Sequence, residues 1–283
     1  IAESWELSCH NDGMSVIENG EYAGMPLGEM LAHMPIYKGK ACEQFEFFPI
    51  LIKLIDASSN LSVQVHPSDE YALANEGQYG KSEMWYVVEA SEGAGVYCGF
   101  KKEIDKEQLK KALYAGEILP LLNFIPVKEG DCIYIPSGTV HAICGGLLIC
   151  EVQQNSSLTY RLYDYDRVDK TGKKRELHIE KALKVVNTSA VCKVNESVVR
   201  ESENVRRLAE NKYFTVREIS VDPLFKGSVD EECFLSLTCI KGDGVLVWGE
   251  EELRIERGDT YFLPAGLGEF SLRGEMKLIS ARV

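Results

Sequence analysis

Apolar residues along most of the chain come in short runs rich in Val, Ile, Leu, Tyr and Phe, punctuated by Gly, Pro, Asn and Asp. Runs of that kind are the signature of short β-strands joined by turns. They predict strands at Phe48–Ile55, Leu61–Val65, Leu147–Gln153, Phe214–Val221 and Lys277–Ala281. Helical patterning is confined to short stretches. Within Lys101–Leu121, Asp105-Lys-Glu-Gln108 resembles a capping box, and Leu109, Ala112, Leu113 and Ile118 supply an apolar face. Leu177–Asn187 has helix-like composition, and Thr188–Glu203 is polar without a strong period. The expected class is all-β with a few short helices.

The pattern repeats. Glu83-Met-Trp-Tyr-Val-Val-Glu-Ala-Ser-Glu-Gly93-Ala-Gly95 aligns with Glu232-Cys-Phe-Leu-Ser-Leu-Thr-Cys-Ile-Lys-Gly242-Asp-Gly244 at an offset of 149 residues. Gly130-Asp-Cys-Ile-Tyr-Ile-Pro136-Ser-Gly138 aligns with Gly258-Asp-Thr-Tyr-Phe-Leu-Pro264-Ala-Gly266 at an offset of 128. Each copy reads as strand, turn, strand, turn. The difference, 149 − 128 = 21 residues, matches the helical stretch near 101–121 as an insertion in the first copy. Two β-barrels or double-sheet jelly rolls are therefore predicted. The first spans 1–187 with that insertion; the second, a degenerate copy, spans 188–283. The charged segment Asp164–Arg175 is expected to be a solvated loop without a functional role.

Composition narrows the partners. The 283 residues carry 31 Lys+Arg against 44 Asp+Glu, a net charge of −13, with 45% hydrophobic and 27% charged residues. That balance fits a globular protein and opposes a phosphate backbone, so nucleic-acid binding is not expected, although a local basic pocket can still hold a small anion. No apolar stretch approaches the ~20 residues of a membrane span. Nine cysteines, with no Cys-x-x-Cys pair, predict reduced thiols in a cytoplasmic protein. No signal peptide is visible at Ile1.

Chemistry concentrates on Gln64, His66, Glu83 and His141. In Leu61-Ser-Val-Gln-Val-His66-Pro, the strand period of two puts Gln64 and His66 on one face, a spacing that suits two ligands of one metal. In Gly130-x5-Pro136-x-Gly138-x2-His141, the turn fixes the backbone so that a histidine at the start of the next strand aims inward. His10, His33 and His178 are read as structural or solvent-facing. No histidine follows His178, and Glu269 stands in the second copy where His141 stands in the first, so only the first copy is expected to bind metal.

The Gly130-to-His141 spacing resembles the second cupin motif, with Gly145 at the place of its usual Asn, and Gln64-Val-His66 resembles the first, with Gln for its leading His. Four blocks in order are similar, more narrowly, to the type I mannose-6-phosphate isomerases, short bacterial branch. They are Gln64-Val-His66-Pro67, Gly80-Lys-Ser-Glu83-Met-Trp85-Tyr, Pro136-Ser-Gly138-Thr-Val-His141-Ala and Glu151-Val-Gln-Gln-Asn155 through Tyr160-Arg161-Leu-Tyr163-Asp164. Family members carry further residues before the segment similar to Glu3–His10.

The resemblance implies a double cupin fold and interconversion of mannose 6-phosphate and fructose 6-phosphate through a cis-enediol(ate). It implies one Zn²⁺ per chain on Gln64, His66, Glu83 and His141, an active-site Arg161 and a phosphorylated hexose as substrate. The same donors also suit Mn²⁺, Fe²⁺ or Co²⁺. The generic cupin spacing points instead to Glu70 as the carboxylate, but Pro67-Ser-Asp-Glu70 reads as a helix first turn, which favours Glu83. Lys81 and Ser62 are candidates for lining the substrate mouth. Glu151 is one candidate for the proton-transfer base, beside Lys81 and a metal-bound water. A metal-dependent cupin oxygenase and a non-catalytic sugar-binding cupin are the alternatives, and Arg161 with Lys81 favours an anionic sugar. Oligomeric state is not legible.

Overall fold

A computed structural model describes residues 2–283. The first stretch of chain forms β1 (Ala2–Leu7), α1 (Leu27–His33), β2 (Ile50–Ala57), β3 (Val63–Val65), α2 (Asp69–Glu76), β4 (Glu83–Ala90) and β5 (Gly95–Phe100). There follow α3 (Lys106–Ala115), β6 (Leu122–Pro126), β7 (Cys132–Ile135), β8 (His141–Ile143), β9 (Leu147–Gln154), β10 (Tyr160–Tyr163) and α4 (Ile179–Val185). The remainder is strand: β11 (Val199–Arg200), β12 (Val205–Glu210), β13 (Thr215–Val221), β14 (Leu224–Val229), β15 (Leu235–Trp248), β16 (Glu251–Ile255), β17 (Thr260–Leu263) and β18 (Gly268–Arg282). The all-β expectation holds. Four of the five predicted strands have ends within two residues of those observed, and the fifth, Lys277–Ala281, is the C-terminal part of β18. No helix among the described residues is long and apolar enough to cross a membrane.

The chain forms two compact units that are discontinuous in sequence, whereas consecutive blocks 1–187 and 188–283 were expected. One comprises residues 2–3, Ile55–Glu151 and Ser156–Glu196; the other comprises Ser4–Leu54, Val152–Asn155 and Ser197–Val283. Strands β1, β2 and β9 each contribute residues to both.

In the first unit β9 lies beside β4 and β4 beside β7, while a second sheet runs β10-β3-β8-β5-β6. Strand alternation gives this second sheet two different faces. Val63, Val65, Val140, Ala142, Tyr160 and Leu162 pack with Leu109 and Leu113 of α3 and Ala182 of α4. Each such fully buried aliphatic side chain contributes roughly 1.5–3 kcal/mol. The intervening residues Gln64, His141 and Arg161 are thereby left for the opposite face. Helix α3 carries the predicted capping box: Asp105 accepts from the Gln108 backbone N–H, and Gln108 reaches back to the Asp105 N–H. Helix α2 has Asp69 and Glu70 in its first turn, as expected.

The second unit holds the sheet β11-β12-β13-β18-β15-β16, with β14 paired to β18 and β17 to β15. Its core includes Leu237, Leu246, Leu263, Phe270, Leu272 and Leu278. Here one expectation fails. Gly242-Asp-Gly244 is not a turn but lies inside the long strand β15, just past a bulge between Cys239 and Lys241. A Cβ on Gly242 would sit 2.0 Å from the Glu275 carbonyl oxygen, so glycine here serves a close strand approach.

The reduced-cysteine expectation also fails for one pair: Cys98 and Cys192 form a disulfide with Cα atoms 5.6 Å apart. A bridge between Gly99 and Val191 brings these two cysteines, 94 residues apart in sequence, together. Spacing along the chain carries no trace of such a pairing. The other seven cysteines are free thiols.

Candidate active site

Strand register assembles the site. Gln64 lies opposite His141 on β8 and opposite Arg161 on β10. Residues directly opposed across strands share a face, so Arg161, Gln64 and His141 form one row. His66 follows β3 and is tied to the turn before β8, because the Gly138 N–H donates to the His66 carbonyl at 2.8 Å. Gly138 has φ 85°, a conformation open to glycine at little cost. From the facing sheet, Glu83 opens β4, with Trp85 two residues on and Glu151 on neighbouring β9.

The imidazoles of His66 and His141 and the Glu83 carboxylate converge, all three buried, with one ligand atom from each lying within 4.8 Å of the others. His141 Nε2 is 3.2 Å and His66 Nε2 3.6 Å from oxygens of Glu83. Both are close to the ~3.4 Å ligand separation of a tetrahedron with ~2.1 Å bonds. Each ring is held from behind: His66 Nδ1 donates to the Leu158 carbonyl at 2.7 Å and His141 Nδ1 to the Thr139 carbonyl at 2.8 Å. That fixes the tautomer with the Nε2 lone pairs facing inward, as metal-binding histidines require. Burial and the nearby Lys81 ammonium push the His141 pKa down to about 4, so the imidazole is neutral at pH 7. The donor set therefore fits a divalent cation. The Gln64 amide stands 3.3 Å from His141 Nε2, and half a turn about its last bond presents Oε1 there.

Lys81 crosses the centre. Its ammonium donates to Glu83, stands 3.3 Å from His66 Nε2 and lies 3.7 Å from Glu151. Burial by itself lowers the Lys81 pKa, but Glu151 and Glu83 override that effect and hold it above the usual lysine value. A cation seated on His66, Glu83 and His141 competes for the same carboxylate. Glu151 accepts a hydrogen bond from the Trp85 indole N–H at 2.8 Å. Trp85 also meets His141 edge-on at 5.3 Å between ring centroids.

Of the residues singled out from sequence, Gln64, His66, Glu83, His141, Lys81 and Glu151 converge, and Arg161 shares the row of Gln64 and His141. Ser62 is buried beside β3 but, among the described residues, makes no hydrogen bond to the cluster. Glu70 is exposed on α2. One residue was missed: Trp85, legible as the next position on the Glu83 face. His178, read as structural, braces the Arg161 backbone: its Nδ1 accepts from the Arg161 N–H at 3.2 Å, and its backbone N–H donates to the Arg161 carbonyl at 2.7 Å. No local signal pointed to that contact.

Comparisons with known proteins agree with this architecture. The model of the phosphomannose isomerase type I catalytic domain matches residues 1–100, and that of the mannose-6-phosphate isomerase cupin domain matches residues 204–283. Mannose-6-phosphate isomerase ManA of Bacillus subtilis is 40% identical over 283 residues, covering 98% of this chain and 88% of the relative. The mannose-6-phosphate isomerase of Streptococcus mutans is 38% identical, covering 99% and 87%. The crystal structure of the mannose 6-phosphate isomerase from Bacillus subtilis superposes with a TM-score of 0.91 at 34% identity, covering 99% of this chain and 89% of that one. By sequence over nearly its whole length, and by fold, this chain belongs to the type I mannose-6-phosphate isomerase family.

Proposed function

We propose that the chain is a cytoplasmic enzyme interconverting mannose 6-phosphate and fructose 6-phosphate at the His66–Glu83–His141 cluster, with one Zn²⁺ as its cofactor. The observation that carries this is the pair of inward Nε2 lone pairs, each fixed by a backbone carbonyl behind the ring and each beside the Glu83 carboxylate. Gln64 is the fourth ligand. A neutral amide there leaves more positive charge on the ion than a second carboxylate would. A bound divalent cation supplies Lewis-acid polarisation of the substrate oxygens. The second copy of the repeat is structural.

Aldose–ketose conversion moves a proton between adjacent carbons while negative charge develops on two oxygens of a cis-enediol(ate). Glu151 is our candidate for the residue that carries the proton, and Trp85 holds one of its oxygens in place. Lys81 keeps a positive charge beside Glu151, which favours the carboxylate form and leaves an ammonium to meet a substrate oxygen. Arg161, planar and always charged, faces an enediolate or phosphate oxygen. Ser62 lines the entrance. A coupled assay of mannose 6-phosphate conversion, with and without chelator, tests this. Turnover lost on chelation and regained on adding Zn²⁺ is expected, and chelator-insensitive turnover overturns it.

A further inference from the structure

The segment after β10 is exposed over most of its length, as expected of a solvated loop, and ion pairs close it into a clasp. Tyr165 and Asp166 both adopt left-handed backbone, with φ 55° and 53°, and turn the chain back on itself. A bridge between Val168 and Lys174 then returns Arg175 to Asp164. Arg175 grips that carboxylate as a fork, Nε to Oδ2 at 2.8 Å and Nη2 to Oδ1 at 2.5 Å. Arg167 adds a second guanidinium on Asp164 Oδ1 and staples it down through the Asp164 and Asn60 carbonyls, at 3.2 and 2.6 Å. Asp166 is engaged by Lys174.

Arg161 lies three residues before Asp164 and five before Asp166, within reach of either along the chain. It pairs with neither. Its Nη1 donates to the Glu176 carbonyl at 3.0 Å, and its buried Nε has no partner among the described residues. Asp164, Arg167 and Arg175 all lie within electrostatic range of it. Three guanidiniums around one carboxylate leave a local surplus of 3 − 1 = 2 positive charges in a chain of net charge −13.

We infer that Arg175 and Arg167 are positioning residues: by occupying Asp164 they keep that carboxylate off Arg161 and leave the Arg161 guanidinium for the anionic substrate. This rests on the reading that Arg161 meets the substrate. Without the clasp, Asp164 is the nearest anion on the same short stretch of chain, and substrate has to displace it.

Steady-state kinetics of the metal-loaded protein with mannose 6-phosphate tests the inference. Arg175→Gln is expected to raise KM about tenfold, the scale of one charge-assisted contact. Adding Asp164→Asn to that variant is expected to bring KM back most of the way. A merely structural clasp lowers the folded fraction, and hence apparent kcat, without moving KM. An unchanged KM in Arg175→Gln, or a raised KM that Asp164→Asn does not relieve, overturns the inference. Should Arg175→Gln fail to fold, Arg175→Lys keeps the cation and loses the fork; a smaller KM rise, again relieved by Asp164→Asn, is then expected, and any other pattern counts against it. Arg161→Gln separates the two levels. If it behaves as wild type, the substrate role of Arg161 falls and the inference with it. If it is impaired while KM in Arg175→Gln stays put, only the sequestering of Asp164 falls.

Discussion

The two copies of the repeat share one strand and the glycine turn that follows it, and differ in where their polar atoms point. Adding 128 to β7 (Cys132–Ile135) gives 260–263, the bounds of β17, and the turn glycines Gly138 and Gly266 have φ 85° and 81°. Yet His141 is 1% exposed, whereas its counterpart Glu269 lies exposed on β18. Glu83 is fully buried; its counterpart Glu232 is exposed and pairs with Lys40. Where Trp85 meets His141, the counterpart Phe234 stacks on Phe262 at 5.1 Å. A common scaffold therefore does not make a site. Inward polar side chains make one, and only where partners offset the cost of desolvating them.

Substituting equivalent positions in the two copies tests this contrast most severely. Glu83→Gln and His141→Gln are each expected to reduce bound metal and kcat/KM by more than about a hundredfold, beyond the usual cost of losing an outer-shell partner. Glu269→Gln should leave both unchanged. Elemental analysis and the coupled assay read this out, and full metal occupancy in the Glu83 variant would defeat the assignment.

Trp85→Phe keeps the ring and deletes the N–H that holds Glu151. Roughly a tenfold fall in kcat with metal content intact is expected, in line with loss of one orienting hydrogen bond. A wild-type kcat would remove Glu151 as the positioned base. In the second copy, Phe234→Ala should cost about 3–5 kcal/mol of stability in chemical denaturation, while kcat per folded, metal-loaded molecule stays constant. A parallel loss of metal would show that the copies are not separable in role.

The smallest effect is a pH slope. The ordinary histidine pKa is 6.5, and burial with Lys81 lowers that of His141 to about 4 in the folded chain. Between those values the unfolded chain takes up a proton that the folded chain refuses, so stability of the metal-free protein should fall as pH drops from 6.5 toward 4. Residues 188–283 contain no histidine and so add no imidazole contribution to that slope. His141→Gln should flatten denaturation midpoints across this window; an undiminished slope would assign it elsewhere.

Much of this was legible because it is local. Alternation at Gln64-Val-His66 and the Pro136–Gly138 turn before His141 announced which side chains face inward, and the Asp105/Gln108 box marked a helix start. The choice of Glu83 over Glu70 was also open to local reasoning, since Glu70 sits in a helix first turn. The Gly242 turn was misread because a glycine needed for close strand approach looks, in sequence, like a glycine needed for a turn.

Sequence alone determined the strand periodicity, the repeat, and hence which residues could face inward together. Tertiary structure alone decided that Lys81 bridges Glu83 and Glu151, that Trp85 holds Glu151, that Cys98 meets Cys192, and that Asp164 belongs to Arg167 and Arg175 rather than Arg161. The reason is physical. Which face a residue takes follows from the two-residue repeat of its own strand, but which partner it meets depends on strand order, register and loop path, set by the packing of distant segments.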